Sequence, residues 1–279
     1  MPFRTIMDVQ DLAAHLEDPD WVIADCRFDL DDTQAGADFY LEAHIPGAVY
    51  VHLDHQLSAR PAPELGRHPL PALEDLTATF SQMGIGPSTQ VVAYDLPFAA
   101  RLWWLLRYTG HEAVAILDGG IGAWIQAGYP TSSGKEHHSP ARYIPNVQSD
   151  MIIDMDTILS SLETPGEIQL IDSRSPERFR GEKEPRDPVA ARIPGASNYF
   201  WGNNLGSNGS LKPAREIQAS LLDAMHGNRI ENTAVYCGSG VTAAVNVLAF
   251  EYSGMGTVRL YPGSWSQWCS DPARPIERG

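Results

Sequence analysis

Cys237 carries the clearest chemical signal in the chain. The β-branched run Thr233-Ala-Val-Tyr ends on it, and CGSGVTAAVNVLAF follows, with Gly238 and Gly240 freeing the backbone to curl. Val241, Ala244, Val245 and Leu248 then recur at helical spacing. The pattern predicts a strand, a tight loop and a helix. In a parallel sheet such a loop lies at the carboxyl end of the strands, where open α/β folds bind ligands. Its amides, from Gly238 through Ser239, Gly240 and Val241 to Thr242, would form a cradle for negative charge at a helix N-terminus. A cysteine at the floor of that cradle is favoured as thiolate and becomes a nucleophile. Free cysteines more often simply pack in the core, and here the loop context outweighs that. A nucleotide site is disfavoured, because GSGVTA lacks both the third glycine of the dinucleotide fingerprint and a phosphate-binding lysine. A cysteine phosphatase would need an arginine six residues after the nucleophile, and position 243 is alanine.

The elements that must position this loop occur twice. Ile6 to Arg27 falls on Ile153 to Arg174 at an offset of 147, each an amphipathic stretch, a turn and an apolar run closing on Asp-x-Arg. HIPGAVY from His44 meets RIPGASN from Arg192, VVAYD from Val91 meets TAVYC from Thr233, and AILDGG from Ala115 meets VRLYPG from Val258. The order is kept, at offsets between 142 and 148. Short β-branched runs alternate with helical-length segments in both halves, which predicts two α/β domains, each a mostly parallel sheet flanked by helices. Residues 1–135 form the first domain and 151–279 the second. The turn-rich stretch 136–150 between them reads as a linker. The halves diverge where the third strand ends: Asp95 stands in the first where Cys237 stands in the second.

Composition limits the partners. The chain has 279 residues, 20 Lys and Arg against 35 Asp and Glu, and a formal charge of -15, which repels phosphate backbones and anionic lipid surfaces. Neither nucleic acid nor a membrane is an expected partner. No apolar run approaches the roughly 20 residues of a membrane helix, and Asp8 and Asp11 interrupt the N-terminus where a signal peptide would be apolar. A cytoplasmic protein is expected. Cys26, Cys237 and Cys269 are too dispersed for a disulfide framework or a CxxC metal site.

Taken together, HIPGAVYVHLD at His44, RLWWLLRYTGH at Arg101, LDGGIGAW at Leu117, IDSR at Ile171 and CGSGVTAA at Cys237 resemble the tandem-domain rhodanese superfamily of sulfurtransferases. The match runs from about Val9 to the C-terminus. The resemblance implies two rhodanese-like domains, the first catalytically silent and the second carrying sulfur on Cys237 as a persulfide, with no cofactor and no metal. Thiosulfate-preferring members resemble CRKGVT; Gly238 and Ser239 replace that Arg and Lys, which resembles the 3-mercaptopyruvate branch. That branch implies a small anionic sulfur donor, its carboxylate gripped by Arg178 of PERFRG and Arg186 of KEPRD, and a thiol or cyanide acceptor, including a thioredoxin-like protein. Arginine suits the task because its planar fork holds a carboxylate in two bonds. The bland alternative for both is surface solvation beside Glu182 and Glu184. The resemblance also implies a relay from Ser239 to a histidine and an acid of the first domain. His44 matches the histidine, with Asp31, Asp32 and Asp38 as open choices for the acid. A thiosulfate sulfurtransferase and a non-catalytic persulfide carrier remain the alternatives.

Four further expectations concern packing. Asp25 with Arg27 and Asp172 with Arg174 recur in both halves and read as structural ion pairs. The tryptophans at helical spacing read as core, with Trp265 a candidate for lining the cleft. Cys26 lies in an apolar strand and should be inert. Cys269, near the C-terminus, is open to solvent on this reading.

Overall fold

The computed structural model describes residues 2–164 and 166–279. It divides into two compact units that do not follow the chain cleanly. The first comprises residues 1–59, 71–148 and 207–211; the second comprises 60–70, 149–206 and 212–279. The turn-rich stretch expected to be a linker belongs, up to residue 148, to the first unit. His138 Nε2 lies 2.9 Å from the Gly47 carbonyl, and the amides of Ala141, Asn146 and Gln148 donate to Ser81, Thr109 and Tyr108. Backbone groups that find such partners have no reason to stay solvated.

The first unit is built on five parallel strands: β1 (Ile6–Met7), β2 (Trp21–Asp25), β3 (Val49–Tyr50), β4 (Gln90–Tyr94) and β5 (Val114–Leu117), in the order β1-β5-β4-β2-β3. The second has β6 (Gln169–Asp172), β7 (Ser197–Asn198), β8 (Thr233–Tyr236) and β9 (Arg259–Leu260), in the order β7-β6-β8-β9, all parallel. Ile152 adds a parallel bridge to Leu260, the remnant of the strand that β1 forms in the first unit. The two sheets thus share one topology, as the repeat predicts. Register is preserved too: Asp25 pairs with Tyr94 as Asp172 pairs with Tyr236.

The central strands are buried on both faces, which is why they read as continuous apolar runs. The helices that follow β4 and β8 are correspondingly buried along most of their length. In α1 (Phe98–Tyr108) the run Ala99–Leu106 is buried, and in α3 (Ala243–Tyr252) so is Ala243–Phe250. Between them in sequence, Pro176 starts the short helix α2 (Pro176–Phe179), which carries Arg178. Among the described residues no helix is long and apolar enough to cross a membrane.

Candidate active site

β8 delivers Cys237 to the carboxyl edge of the sheet, and α3 begins six residues later. The loop is pinned from one side. The Cys237 amide donates to Ser264 Oγ at 3.1 Å, and the amides of Trp265 and Ser266 donate to the carbonyls of Cys237 and Gly238 at 3.0 and 2.8 Å. Gly240 has φ +75, and a Cβ there would sit 2.2 Å from the Pro262 carbonyl, so only glycine allows the two backbone segments to cross. No backbone carbonyl among the described residues accepts from the amides of Gly238, Ser239, Val241 or Thr242. The Cys237 residue itself is 1% exposed.

Gly238 lies close to two arginine side chains. A Cβ on it would lie 2.8 Å from Arg67 Nη2 and 3.2 Å from Arg178 Nη2, so two guanidiniums cover the residue next to the thiol. Arg178 is held by Glu184 through Nε and Nη2 at 3.0 and 2.6 Å, with Asp187 at 3.4 Å. Arg67 is held by Asp187 through Nε and Nη2 at 2.8 and 3.1 Å. Burial alone would raise the Glu184 carboxyl, but Arg178, the Arg186 amide and Arg174 outweigh it and hold Glu184 below its ordinary range. Arg186 contributes none of the atoms nearest that position on Gly238. It is exposed, gives its amide to Glu184 Oε1 at 3.1 Å, and lines a pocket of about 440 Å³ with Pro61, Arg67, Asp187 and Pro188.

Ser239 Oγ lies 2.7 Å from Nδ1 of His68, and both residues are buried. The histidine expected there, His44, is instead a packing residue of the first unit. Its ring stacks on Tyr40 with centroids 4.2 Å apart, its Nδ1 lies 2.7 Å from the Tyr40 carbonyl, and it has no exposure. Its repeat counterpart explains this. Arg192 makes the same kind of antiparallel bridge, to Glu277 as His44 does to Ser132, and lays its guanidinium over Phe179 at 4.5 Å. One position does one structural job in both repeats. Asp31, Asp32 and Asp38 are exposed in the first unit, where Asp32 takes the Gln34 amide and Asp38 the Gln34 side chain.

The buried ion pairs are repeated as expected. Arg27 bonds Asp25 and the Ala43 carbonyl, and Arg174 bonds Asp172 and the Ala191 carbonyl, with the same nitrogens. Trp265 does not line a cleft: it is fully buried, donates to the Val189 carbonyl at 2.8 Å, and carries Arg174 over its ring at 4.9 Å. Cys269 is also interior, at 6% exposure; burial, then the Asp187 and Glu184 charges, push its thiol up to about 11. Cys26 is buried, and desolvation holds its thiol well above the ordinary value.

No local pattern in the sequence marks Arg67 and His68. They lie outside the repeat, about 170 residues from the loop that they meet, and no periodicity links a GRHP segment to Gly238 and Ser239. The only signal was a surplus of turn formers, Pro61, Pro63, Gly66 and Pro69, in a segment without strand or helix.

Known proteins carry the same architecture. The family model described as "Rhodanese-like domain" matches residues 8–127 and again 155–271. A Pseudomonas aeruginosa protein named "Probable 3-mercaptopyruvate sulfurtransferase" is 41% identical over 100% of both chains. A Mycobacterium tuberculosis protein named "Putative thiosulfate sulfurtransferase SseB" is 39% identical over 99% of this chain and 98% of its own. The crystal structure of SseA from Escherichia coli, concerned with the "Rhodanese" fold and 3-mercaptopyruvate sulfotransferases, is 31% identical, covers 93% of this chain and 98% of its own, and superposes with a TM-score of 0.80. The duplicated sheet order, the shared Asp-x-Arg pairs and these matches make the chain a member of the rhodanese family with two rhodanese-like domains.

Proposed function

We propose that the protein is a sulfurtransferase that takes sulfur from 3-mercaptopyruvate and passes it to a thiol or cyanide, through a persulfide on Cys237. The observation that carries this is the cysteine at the end of β8, beside two guanidiniums and a Ser239–His68 pair. In the first half-reaction the Cys237 thiolate attacks the donor sulfur, the carbon–sulfur bond breaks, and its electron pair leaves on carbon as the enolate of pyruvate. The enolate takes up a proton. Ser239, in contact with His68, supplies that proton, and the donor carboxylate is held by Arg178. The loop amides stabilise negative charge on sulfur. In the second half-reaction an acceptor thiolate or cyanide attacks the outer sulfur and restores the Cys237 thiolate. No cofactor takes part in this sequence. A thioredoxin-like protein meets the chemical needs of a thiol acceptor.

Thiosulfate is the second donor to test, since one full-length relative is named for it. Its sulfite leaves without needing a proton, so comparing the two donors separates the roles of the site. Mass spectrometry after brief exposure to each donor should show a gain of about 32 Da on the peptide containing Cys237. Cys237→Ala should remove the gain and all turnover with the melting curve unchanged. Cys26→Ala and Cys269→Ala should keep both. Turnover surviving in Cys237→Ala would overturn the reading.

A further inference from the structure

We infer that Arg67 is a donor-binding residue of this site, forming with Arg178 a two-guanidinium clamp for the donor's anionic group. The inference rests on the proposed sulfur transfer and assigns a residue to it. Three consecutive residues of the 60–70 segment each meet a different part of the cradle. Gly66 packs on the turn beneath the loop, where a Cβ would lie 2.8 Å from Ser266 Oγ and 2.9 Å from the Gly263 carbonyl. The Arg67 amide donates to Ser266 Oγ at 3.0 Å, which fixes the backbone, and its guanidinium reaches Gly238. His68 meets Ser239 at 2.7 Å. The segment is therefore held in register with the loop over its whole contact, and Arg67 is aimed by its neighbours on both sides.

The charges are layered. The Arg67 and Arg178 side chains are 28% and 19% exposed, whereas Asp187 and Glu184, which hold them, are 3% and 1% exposed. The carboxylates are thus more deeply buried than the arginine side chains that they hold. Asp187 contacts both arginines, so a single buried carboxylate sets the spacing of the pair. On a chain of charge -15, an anionic donor needs this kind of local reversal. The loop supplies no cation of its own, and Arg67 places one in space over the neutral position 238. Arg186, which the family resemblance implies as the second arginine of the grip, lines a pocket with Arg67.

The test uses steady-state kinetics with 3-mercaptopyruvate at fixed cyanide, together with pyruvate as a competitive inhibitor that reads binding without turnover. Arg67→Gln should raise KM for the donor and the inhibition constant for pyruvate by about tenfold to a hundredfold, the range for a lost charge-assisted contact. The rate at saturating donor should change much less, because the contact is made in the ground state as well. Arg67→Lys should fall between, keeping the charge and losing the fork. If Arg67→Gln lowers the melting temperature, Arg67→Lys decides by the same two constants. KM and pyruvate inhibition within twofold of wild type in both variants would overturn the assignment while leaving sulfur transfer intact. A wild-type protein that gains no sulfur on Cys237 from any donor would instead overturn the underlying function.

Discussion

Ser239 and His68 can be told apart from mere loop supports by the leaving group. Sulfite departs from thiosulfate with its electron pair on sulfur and needs no proton, whereas the enolate from 3-mercaptopyruvate must be protonated at carbon. Ser239→Ala should therefore lower kcat with 3-mercaptopyruvate by about a hundredfold or more, the usual share of a proton-transfer group, and spare thiosulfate turnover. His68→Gln should do the same, and the double variant should be no slower than the slower single one, since the two act as one unit. Equal losses with both donors would mean that the 2.7 Å contact only shapes the loop. At this scale the sequence exposed half of the site. Cys237 and Ser239 are legible because a strand, two glycines and a helix announce the loop locally. His68 is not legible, because the histidine that the sequence pattern marks, His44, sits in a motif shared by both repeats, and its counterpart Arg192 shows that the shared position serves packing.

The 60–70 segment is the element on which the site depends most and which the sequence shows least. Strands and helices were legible because their periodicity is local; this segment has none, and its position follows from side-chain and turn contacts to residues far along the chain. Its hinge is Gly66, whose φ of +88 and close approach to Ser266 and Gly263 leave no room for a side chain. Gly66→Ala should cost at least about 1 kcal/mol from the left-handed backbone alone, with the steric contact adding to it. Because Arg67 and His68 follow directly, the same change should raise the donor KM and lower kcat with 3-mercaptopyruvate together. Urea unfolding beside donor titrations checks both halves of this expectation. A variant that loses stability yet keeps wild-type kinetics would show that Gly66 does not set the position of the two residues after it.

For the molecule as a whole, the duplication places an acid, Asp95, in the first repeat where the second has Cys237. Asp95 is in the left-handed backbone region at φ 73, its Oδ2 is buried without a hydrogen-bond partner, and a Cβ on Gly120 would come within 2.3 Å of Oδ1. Burial, then the nearby Asp25 charge, push its carboxyl up to about 6 from an ordinary 3.8. A folded-state value above the unfolded one means that the native protein holds the proton more tightly. Stability then falls as pH rises from about 4 through about 6, and the penalty is complete at neutral pH. Asp95→Asn keeps the shape and removes the charge, and asparagine tolerates this backbone better than most residues. It should stabilise the protein at pH 7 by at most about 3 kcal/mol and confer little at pH 3.5, where the aspartate is protonated in the folded state and mostly so in the unfolded one. Other carboxylates, such as Glu184 and Glu277, sit below their ordinary range and favour folding as pH rises, but they contribute equally to both proteins and cancel in the difference. Urea unfolding of wild type and variant at the two pH values isolates the aspartate. An identical difference at both would show that Asp95 does not titrate between them, and the first repeat would then carry its acid without a cost in stability.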